Sequence, residues 1–286
     1  RLIAQYPRVS TSINPVLRSS IGGPDQFYFG QLWLKVGGNV DFTSRLSVSG
    51  QLGFNLYNNF GSLKLESNSE LPHVRSDIKD YLKEGQQALV RLETNYIDQL
   101  APRWYGRVSA GIFEEMYGGV AGEVLYRPDD PRWAVGLNVN RVRQRAYDQW
   151  FQFRDYEATT GNLTGYFELP KSVLAKLSVG QYLAGDRGGT VDISRLFPSG
   201  VRIGVFATKT NVSSAQFGEG SFDKGFYIVI PLDFMVPRSS NGSGTFLFRP
   251  LTRDGGQMVR DGRPLYDITN DAVRVRLPER ESLFFE

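Results

Sequence analysis

The chain has 286 residues, and 33 Lys and Arg residues against 30 Asp and Glu residues give it a formal net charge of +3. Because the charges nearly balance and no long basic run could follow a phosphate backbone, the composition argues against a nucleic-acid partner. The absence of cysteine excludes disulfides, thiolate metal sites and a Cys nucleophile, and the single histidine, His73, leaves almost nothing for an imidazole metal site. We therefore expect neither a metal nor a cofactor.

The first strong pattern is a pair of long alternating segments. From Gln31 to Phe42, and again from Leu46 to Leu56, every second residue is apolar or Gly, and most of the residues between them are small or polar. Each segment exceeds the five or six residues of a usual soluble strand and matches the roughly 9–11 residues that a tilted strand needs to cross a bilayer. The pattern predicts membrane-spanning strands with one face toward lipid and one toward a wet lumen.

The same alternation recurs along the chain and predicts twelve strands in all. The further candidates are Leu89–Ile97, Trp104–Phe113, Gly119–Tyr126, Trp133–Val142, Thr160–Leu169, Leu174–Tyr182, Thr190–Leu196, Val201–Thr210, Phe222–Ile230 and Gly244–Arg249. Short turns alternate with longer links at 58–87, 143–158 and 211–221, and this length asymmetry is typical of outer-membrane barrels. The first long link also contains a predicted short helix, Asp77–Glu84.

Twelve strands would leave both chain ends on the same, exterior side. Weak strands at 1–13 and about 257–268 would raise the count to fourteen; alternatively the termini fold back as a plug or lead to another domain. We therefore divide the chain into an N-terminal segment at 1–26, a barrel at 27–250, and a C-terminal extension, plug or final strand at 251–286.

Aromatic residues near strand ends are consistent with a membrane-interface girdle. The candidates are Trp33, Tyr57, Trp104, Tyr126 and Trp133. The alternative is that they fill the core of a soluble sandwich.

No catalytic constellation is apparent. His73 has no nucleophile placed for it by a recognisable motif, so a structural loop contact is the default. The adjacent carboxylates Glu114-Glu115 and Asp129-Asp130 would point to opposite faces of a strand, which does not suit a glycosidase pair. Asp186 begins a Gly-rich turn that lacks the ligands of a calcium loop.

The richest polar constellation lies at the ends of predicted strands. It comprises Arg141, Arg143, Trp150, Arg154, Asp155, Tyr156, Glu219, Asp223, Lys224, Arg249, Arg253 and Asp254. These charges must point into the lumen or to water. They could grip a carbohydrate, with an aromatic ring stacking on the sugar, or form an internal network of ion pairs that stiffens the barrel.

Five stretches carry a resemblance to a known family: LPHVRSD at 71–77, GIFEEMYGGVAGEVLYRP at 111–128, QYLAGD at 181–186, FGEGSFDKGFYI at 217–228 and RPLTRDGGQ at 249–257. They resemble the YjbH/GfcD family of Gram-negative outer-membrane exopolysaccharide and capsule proteins. The resemblance implies an outer-membrane β-barrel, often lipid-anchored at an N-terminal Cys, that acts with a polysaccharide secretion system. This chain has no Cys and looks like the C-terminal barrel portion, which would place any lipid anchor and any preceding domain outside it.

Together these observations predict an all-β, antiparallel transmembrane β-barrel of 12–14 strands of the Gram-negative outer-membrane type. Its expected partners are membrane lipid, a polysaccharide and other exopolysaccharide secretion proteins, and its expected role is non-catalytic assistance to export or surface assembly. Two alternatives stay open: a hydrolase or acyltransferase at the barrel rim, and a soluble glycan-binding β-sandwich.

Overall fold

A computed structural model describes residues 5–21, 28–62, 69–130, 132–217, 222–231, 243–249 and 254–272. Its strands are β1 (Arg8–Ile21), β2 (Tyr28–Asp41), β3 (Leu46–Asn58), β4 (Gln87–Ala101), β5 (Trp104–Ile112), β6 (Tyr117–Tyr126), β7 (Trp133–Arg145), β8 (Phe153–Leu169), β9 (Val173–Gln181), β10 (Arg187–Leu196), β11 (Arg202–Thr210), β12 (Asp223–Pro231) and β13 (Ser243–Phe248). The helices are α1 (Ile78–Glu84), α2 (Ser214–Phe217) and α3 (Leu265–Ala272), with a 3₁₀ turn at Phe60–Ser62.

The thirteen strands form one sheet in chain order, and each pairs antiparallel with the next to give a nearly closed barrel. This confirms the predicted all-β antiparallel barrel. The single continuous sheet contradicts the alternative of a two-sheet sandwich. All twelve predicted strands are present, and the thirteenth is β1, which overlaps the weak N-terminal candidate.

One predicted link is wrong. The segment 143–158 is mostly strand, because β7 continues to Arg145 and β8 begins at Phe153. The inward and outward alternation of side chains continues beyond the apolar residues into polar ones. On the outer face Arg141 forms an ion pair with Glu157, and Arg143 forms one with Asp155. Charged side chains can extend a strand pair beyond the apolar part of the wall because they reach water there.

The two ends of the barrel differ. At one end, called here the turn end, β2 and β3, β4 and β5, β8 and β9, and β10 and β11 are joined by short turns. At the opposite end, called the loop end, β3 and β4 are joined by a long excursion. Within it, residues 69–86, called here the cap, carry α1 and close over the loop end. No helix in the described part of the chain is long and apolar enough to cross a membrane.

The wall separates apolar from polar side chains by strand alternation. On β7 the outward residues include Trp133, Leu137 and Val139, which are exposed, whereas the inward Asn140 is buried. On β3 the predicted apolar face, including Leu52, Phe54 and Leu56, is likewise exposed to the outside. The same exposure of large apolar side chains occurs on strands from β1 to β13, so the apolar surface runs around the barrel.

The chain after β13 returns through the inside of the barrel. Residues 254–272, called here the inner segment, start under the cap, where Asp254 accepts hydrogen bonds from the backbone of Arg75 and Ser76. They end at the turn end, where Arg127 donates to Thr269 and Asn270. The weak strand expected at 257–268 is therefore wrong: these residues form an irregular strand-free path that leads into α3. Several of their backbone groups bond to inward side chains of the wall, since Arg107 donates to the carbonyls of Asp261 and Arg263 and Glu123 accepts the N–H of Leu265.

Candidate functional site

The cap is fastened to the loop end through Asp77. Its carboxylate accepts hydrogen bonds from Arg154 Nη1 at 2.9 Å and from Tyr147 Oη at 2.8 Å, and its other oxygen lies 2.7 Å from His73 Nδ1. Burial alone would raise the pKa of Asp77, but the hydrogen bonds from Arg154, Tyr147 and His73 hold the pKa below its usual value. Burial opposes protonation of His73, yet the hydrogen bond to Asp77 raises the pKa of His73 above its ordinary value.

A second buried pair joins the cap to the barrel wall and to the inner segment. Arg75 makes a two-point contact with Glu114, at 3.0 and 2.8 Å, and also donates to the backbone oxygen of Met258 at 2.8 Å. Burial would lower the pKa of Arg75, but the Glu114 carboxylate raises it, so the guanidinium stays charged. The Asp254 carboxylate accepts hydrogen bonds from the backbone N–H of Arg75 at 2.7 Å and from the Ser76 hydroxyl at 2.6 Å.

The middle of the lumen is filled by an ionic cluster. Arg107 on β5 lies between Glu123 on β6, at 3.0 Å, and Asp261 of the inner segment, at 2.8 Å. Asn138 on β7 donates to the same Asp261 carboxylate at 2.8 Å, and Glu123 accepts the backbone N–H of Leu265 at 2.9 Å. The side chains of Arg107 and Glu123 are only 3% and 4% exposed, so the cluster excludes solvent. Three strands therefore hold the inner segment, β5 through an ion pair and β6 and β7 through hydrogen bonds.

At the turn end the inner segment is held by aromatic packing. The rings of Tyr266 on α3 and Tyr166 on β8 stack with centroids 4.1 Å apart and an interplanar angle of 3°. The Tyr266 hydroxyl donates to Glu168 at 2.7 Å, and the Arg127 guanidinium lies 5.2 Å from the Tyr266 ring centroid. Leu265 packs with Tyr166 and Tyr266 in the same buried cluster. The lumen is thus occupied from one end to the other.

A shallow pocket of about 360 Å³ opens at the loop end beside the Asp77 cluster. Its lining comprises Gln144, Phe153, Arg154, Asp155 and Tyr156. It combines an exposed ring, a guanidinium, a carboxylate and an amide, which are the groups that can stack on a sugar ring and bind its hydroxyls. The exposed Trp150 and Phe151 belong to the same β7–β8 connection.

The structure brings only part of the predicted polar constellation together at this pocket. Arg154 and Tyr156 point inward, and the Tyr156 hydroxyl donates to the Leu183 carbonyl at 2.7 Å. Arg141 and Arg143 point outward instead of into the lumen, because alternation on β7 assigns odd-numbered residues to the outer face. Asp155 is likewise fully exposed and faces Arg143.

The remaining predicted residues are dispersed. Asp223 is buried and lies 3.3 Å from Arg249, which also donates to Gln257 of the inner segment at 2.6 Å. Lys224 points outward and lies 4.5 Å from the Phe222 ring centroid. Asp254 is buried beneath the cap. Glu219 and Arg253 lie outside the described residues.

The predicted girdle aromatics do not all lie on the outer face. Trp104, Tyr126 and Trp133 form a row of ring contacts there at the turn end, with centroids 4.9 and 5.8 Å apart, and Tyr57 is exposed near the loop end of β3. Trp33 instead points inward and is 0% exposed. It lies on the same inward face of β2 as Gln31 and fills the space above Gly53. A Cβ added at Gly53 would lie 2.6 Å from the Trp33 ring.

The five stretches that resemble the family meet at the loop end. The cap residue Arg75 contacts Glu114 of the second stretch and Asp254 of the last, and Gly256 donates its backbone N–H to Asp186 of the third at 2.8 Å. Burial raises the pKa of that Asp186 carboxyl. These motifs therefore specify how the cap, the rim turns and the inner segment pack together. Asp186 thus holds a tight turn, as the sequence indicated.

Sequence reasoning missed Arg107, Glu123, Asp261 and Tyr266 as a group. The first two were visible as charges on the polar face of their strands, but their partners on the inner segment lie more than a hundred residues along the chain. Within the described residues, no three His, Asp or Glu side chains come together as a metal site.

Comparison with known proteins gives two matches. A family model named YjbH and described as "Exopolysaccharide biosynthesis protein YbjH" matches residues 1–271. The chain is 41% identical over 272 residues to a protein of Escherichia coli (strain K12) described as "Uncharacterized lipoprotein YjbH". The match covers 92% of this chain but 39% of that relative, so the chain spans less than half of the relative's length.

Proposed function

The chain belongs to the YjbH family of exopolysaccharide biosynthesis proteins, and from that premise we propose that it is an outer-membrane β-barrel that assists export or surface assembly of an exopolysaccharide or capsule without catalysing a reaction. The barrel acts as a scaffold with a plugged lumen. Its loop end contacts the glycan or another protein of the secretion system.

The continuous exposed apolar surface of the wall carries this proposal. Soluble monomers rarely expose apolar patches larger than a few hundred Å², whereas here large apolar side chains face outward around the barrel. On β3 the outward face from Leu46 to Leu56 spans about 34 Å at ~3.4 Å per residue. A typical tilt of roughly 40° reduces this to about 26 Å, close to the ~25 Å apolar band of outer-membrane barrels.

The ends of the barrel support an orientation with the loop end outside the cell. Outer-membrane barrels have short periplasmic turns and longer exterior loops. The turn-end row of Trp104, Tyr126 and Trp133 suits a headgroup boundary. The charged pairs of Arg141 with Glu157 and Arg143 with Asp155 lie beyond the apolar band toward the loop end, where they would meet water.

The pocket at Phe153 and Arg154 is the surface that we assign to the glycan. It lies at the loop end, where both residues are accessible, and the exposed Trp150 belongs to the same β7–β8 connection. The inner segment fills the lumen, so the exterior surface offers a contact that needs no opening of the barrel.

The non-catalytic part of the proposal rests on the surroundings of His73. Its Nδ1 faces Asp77 at 2.7 Å and its Nε2 faces the Ser69 carbonyl at 3.3 Å. Two acceptors favour the doubly protonated ring, which has no lone pair with which to act as a general base. The alternative of a rim hydrolase would require His73→Gln to abolish turnover of a surface glycan or acyl group while the fold persists.

Extraction and electrophoresis test the barrel. With an export signal, the protein should partition with outer membranes, need detergent for extraction, and migrate faster on SDS gels before heating than after. A protein that stays monodisperse without detergent would overturn the membrane assignment.

Glycan binding is tested separately with Trp150→Ala and Phe153→Ala, using the exopolysaccharide secreted by the host strain as the probe. Both variants should weaken binding. Tyr57→Ala removes an exposed aromatic side chain near the same end but outside the pocket, and should not. Equal binding by all three variants would remove the pocket from the proposal.

A further inference from the structure

Arg154 belongs both to the pocket at the loop end and to the fastening of the cap. Its side chain lines the pocket and is 37% exposed. The same guanidinium donates from Nη1 to Asp77 at 2.9 Å. The Asp77 side chain is 11% exposed, so the guanidinium is the more accessible member of this ion pair. A ligand that gives Arg154 a new partner in the pocket therefore changes how the cap is held.

Gln144 gives the pocket a second connection to the cap. It also lines the pocket, and its Oε1 accepts a hydrogen bond from Arg154 Nη1 at 3.3 Å. Its Nε2 donates to the backbone oxygen of His73 at 2.9 Å. Because Arg154, Gln144 and His73 are joined in series, a shift of the guanidinium disturbs both connections to the cap.

The chemistry of the ion pair selects the ligand that can make this change. Arg154 already holds a carboxylate through a charge-assisted hydrogen bond, and a neutral sugar hydroxyl forms a weaker bond. A sugar carboxylate offers the same charge and also matches the planar, two-point geometry of a guanidinium. Asp155 in the pocket lining is fully exposed and faces Arg143 at 3.5 Å. Water and this arginine therefore screen its repulsion of an anionic ligand.

The surroundings of Asp77 allow one carboxylate to replace the other. When Arg154 turns to a new partner, the Asp77 carboxylate keeps the Tyr147 hydroxyl at 2.8 Å and His73 Nδ1 at 2.7 Å. The Arg154 guanidinium lies 4.3 Å from the Tyr147 ring centroid, a cation–π contact that does not depend on Asp77. The exchange therefore avoids the large cost of a buried charge without a partner.

We propose that the pocket binds an acidic sugar of the exopolysaccharide, whose carboxylate replaces Asp77 as the partner of Arg154 and so loosens the cap. The inference rests on the proposed function, which assigns the pocket to the glycan, and adds the class of sugar and the effect of its binding. The loosening is confined to the region around His73 and Asp77, because Arg75 remains paired with Glu114. The inner segment remains held at Arg107, so the lumen stays filled.

Limited proteolysis of the full-length protein in isolated outer membranes tests the proposal. The probes are fragments of the exopolysaccharide secreted by the host strain, and the same fragments after chemical reduction of their carboxyl groups to alcohols. Native fragments at saturation should accelerate cleavage between Ser69 and Asp80 by roughly 5- to 150-fold, the usual range of coupling between two sites. The carboxyl-reduced fragments should leave the cleavage rate unchanged.

Binding measurements on variants test the same coupling in the other direction, because coupling between two sites is reciprocal. Asp77→Asn removes the competing negative charge, so its affinity for native fragments should rise by roughly 5- to 150-fold and its affinity for reduced fragments should not change. In this variant native fragments should accelerate cap cleavage no further. Arg154→Gln should be cleaved rapidly with or without fragments and should not distinguish native from reduced fragments.

Arg141→Gln is the matched control. It removes an arginine of the same β7–β8 pair that faces outward to Glu157, so both its cleavage and its binding should match those of the unaltered protein. Heat-modifiable migration on SDS gels verifies that each variant keeps the barrel.

Three results would overturn the proposal. They are equal acceleration of cleavage by native and reduced fragments, binding of native fragments that depends on Phe153 but leaves cap cleavage unchanged, and an unaltered affinity of Asp77→Asn for native fragments. The proposed function fails by different measurements, because the detergent requirement and the dependence of glycan binding on Trp150 and Phe153 are read without a protease.

Discussion

Tyr266 offers the most direct perturbation of the inner segment. Its ring stacks on Tyr166, its hydroxyl donates to Glu168 at 2.7 Å, and it is 1% exposed. Truncating a buried aromatic side chain to Ala removes about 3–5 kcal/mol of stability. Tyr266→Phe removes only the hydrogen bond to a charged acceptor, about 1.5–3 kcal/mol.

Hydrogen exchange of α3 measures this loss, because its amides exchange when the inner segment leaves the wall. At 1.4 kcal/mol per tenfold change, Tyr266→Ala should accelerate exchange by roughly 150- to 4,000-fold and Tyr266→Phe by roughly 10- to 150-fold. Tyr126→Phe, on the outer face, should leave α3 unchanged. Peptides from β6 should keep their protection, which separates local release from unfolding of the barrel. Exchange of α3 in Tyr266→Ala within threefold of the unaltered protein would refute the reasoning.

The cap and the inner wall give three further predictions. Asp77→Asn weakens three hydrogen bonds of the cap and should remove about 1.5 kcal/mol or more of its stability. Protease cleavage within the cap should then accelerate roughly tenfold or more, whereas Asp80→Asn on α1 should leave the cleavage rate unchanged. The raised pKa of His73 adds stability that is full below the ordinary pKa of 6.5 and is lost as pH rises through the raised pKa. The lowered pKa of Asp77 adds stability that is lost only in acid. Cleavage of the cap should therefore increase from pH 6 to about pH 9, and His73→Gln should remove this pH dependence. Gly53→Ala places a Cβ 2.6 Å from the Trp33 ring and should lower the stability of the barrel by about 1–3 kcal/mol. The variant should then lose its heat-modifiable gel migration at a lower temperature, and adding Trp33→Leu should restore the original temperature.

The strands of the wall could be predicted from sequence because their information is local. A residue in a barrel wall faces either outward or inward, so alternation alone identifies the strand and assigns both faces. On β3 this predicted the exposed Leu52 and Phe54 correctly. β1 gave a weaker prediction because Thr11 and Pro15 interrupt the apolar face that carries Val9 and Ile13.

The contents of the lumen could not be predicted in the same way. Asp261 pairs with Arg107, 154 residues earlier in the chain, and no local period relates the two. Trp33 was misplaced for a related reason. Its residue type suggested an interface, but its position in the alternation put it on the inward face, where the missing side chain of Gly53 makes room.

The occupied lumen restricts the routes that an exported glycan could take. A polymer crossing the barrel would need the space that the inner segment fills, and the contacts of Arg107 with Asp261 and of Tyr266 with Tyr166 would have to break together. A polymer held at the Phe153 pocket would leave those contacts intact. The rate of hydrogen exchange at the α3 amides therefore distinguishes the routes. In cells that export the glycan, this rate rises if the lumen opens. It stays at its resting value if the glycan is bound on the surface of the loop end.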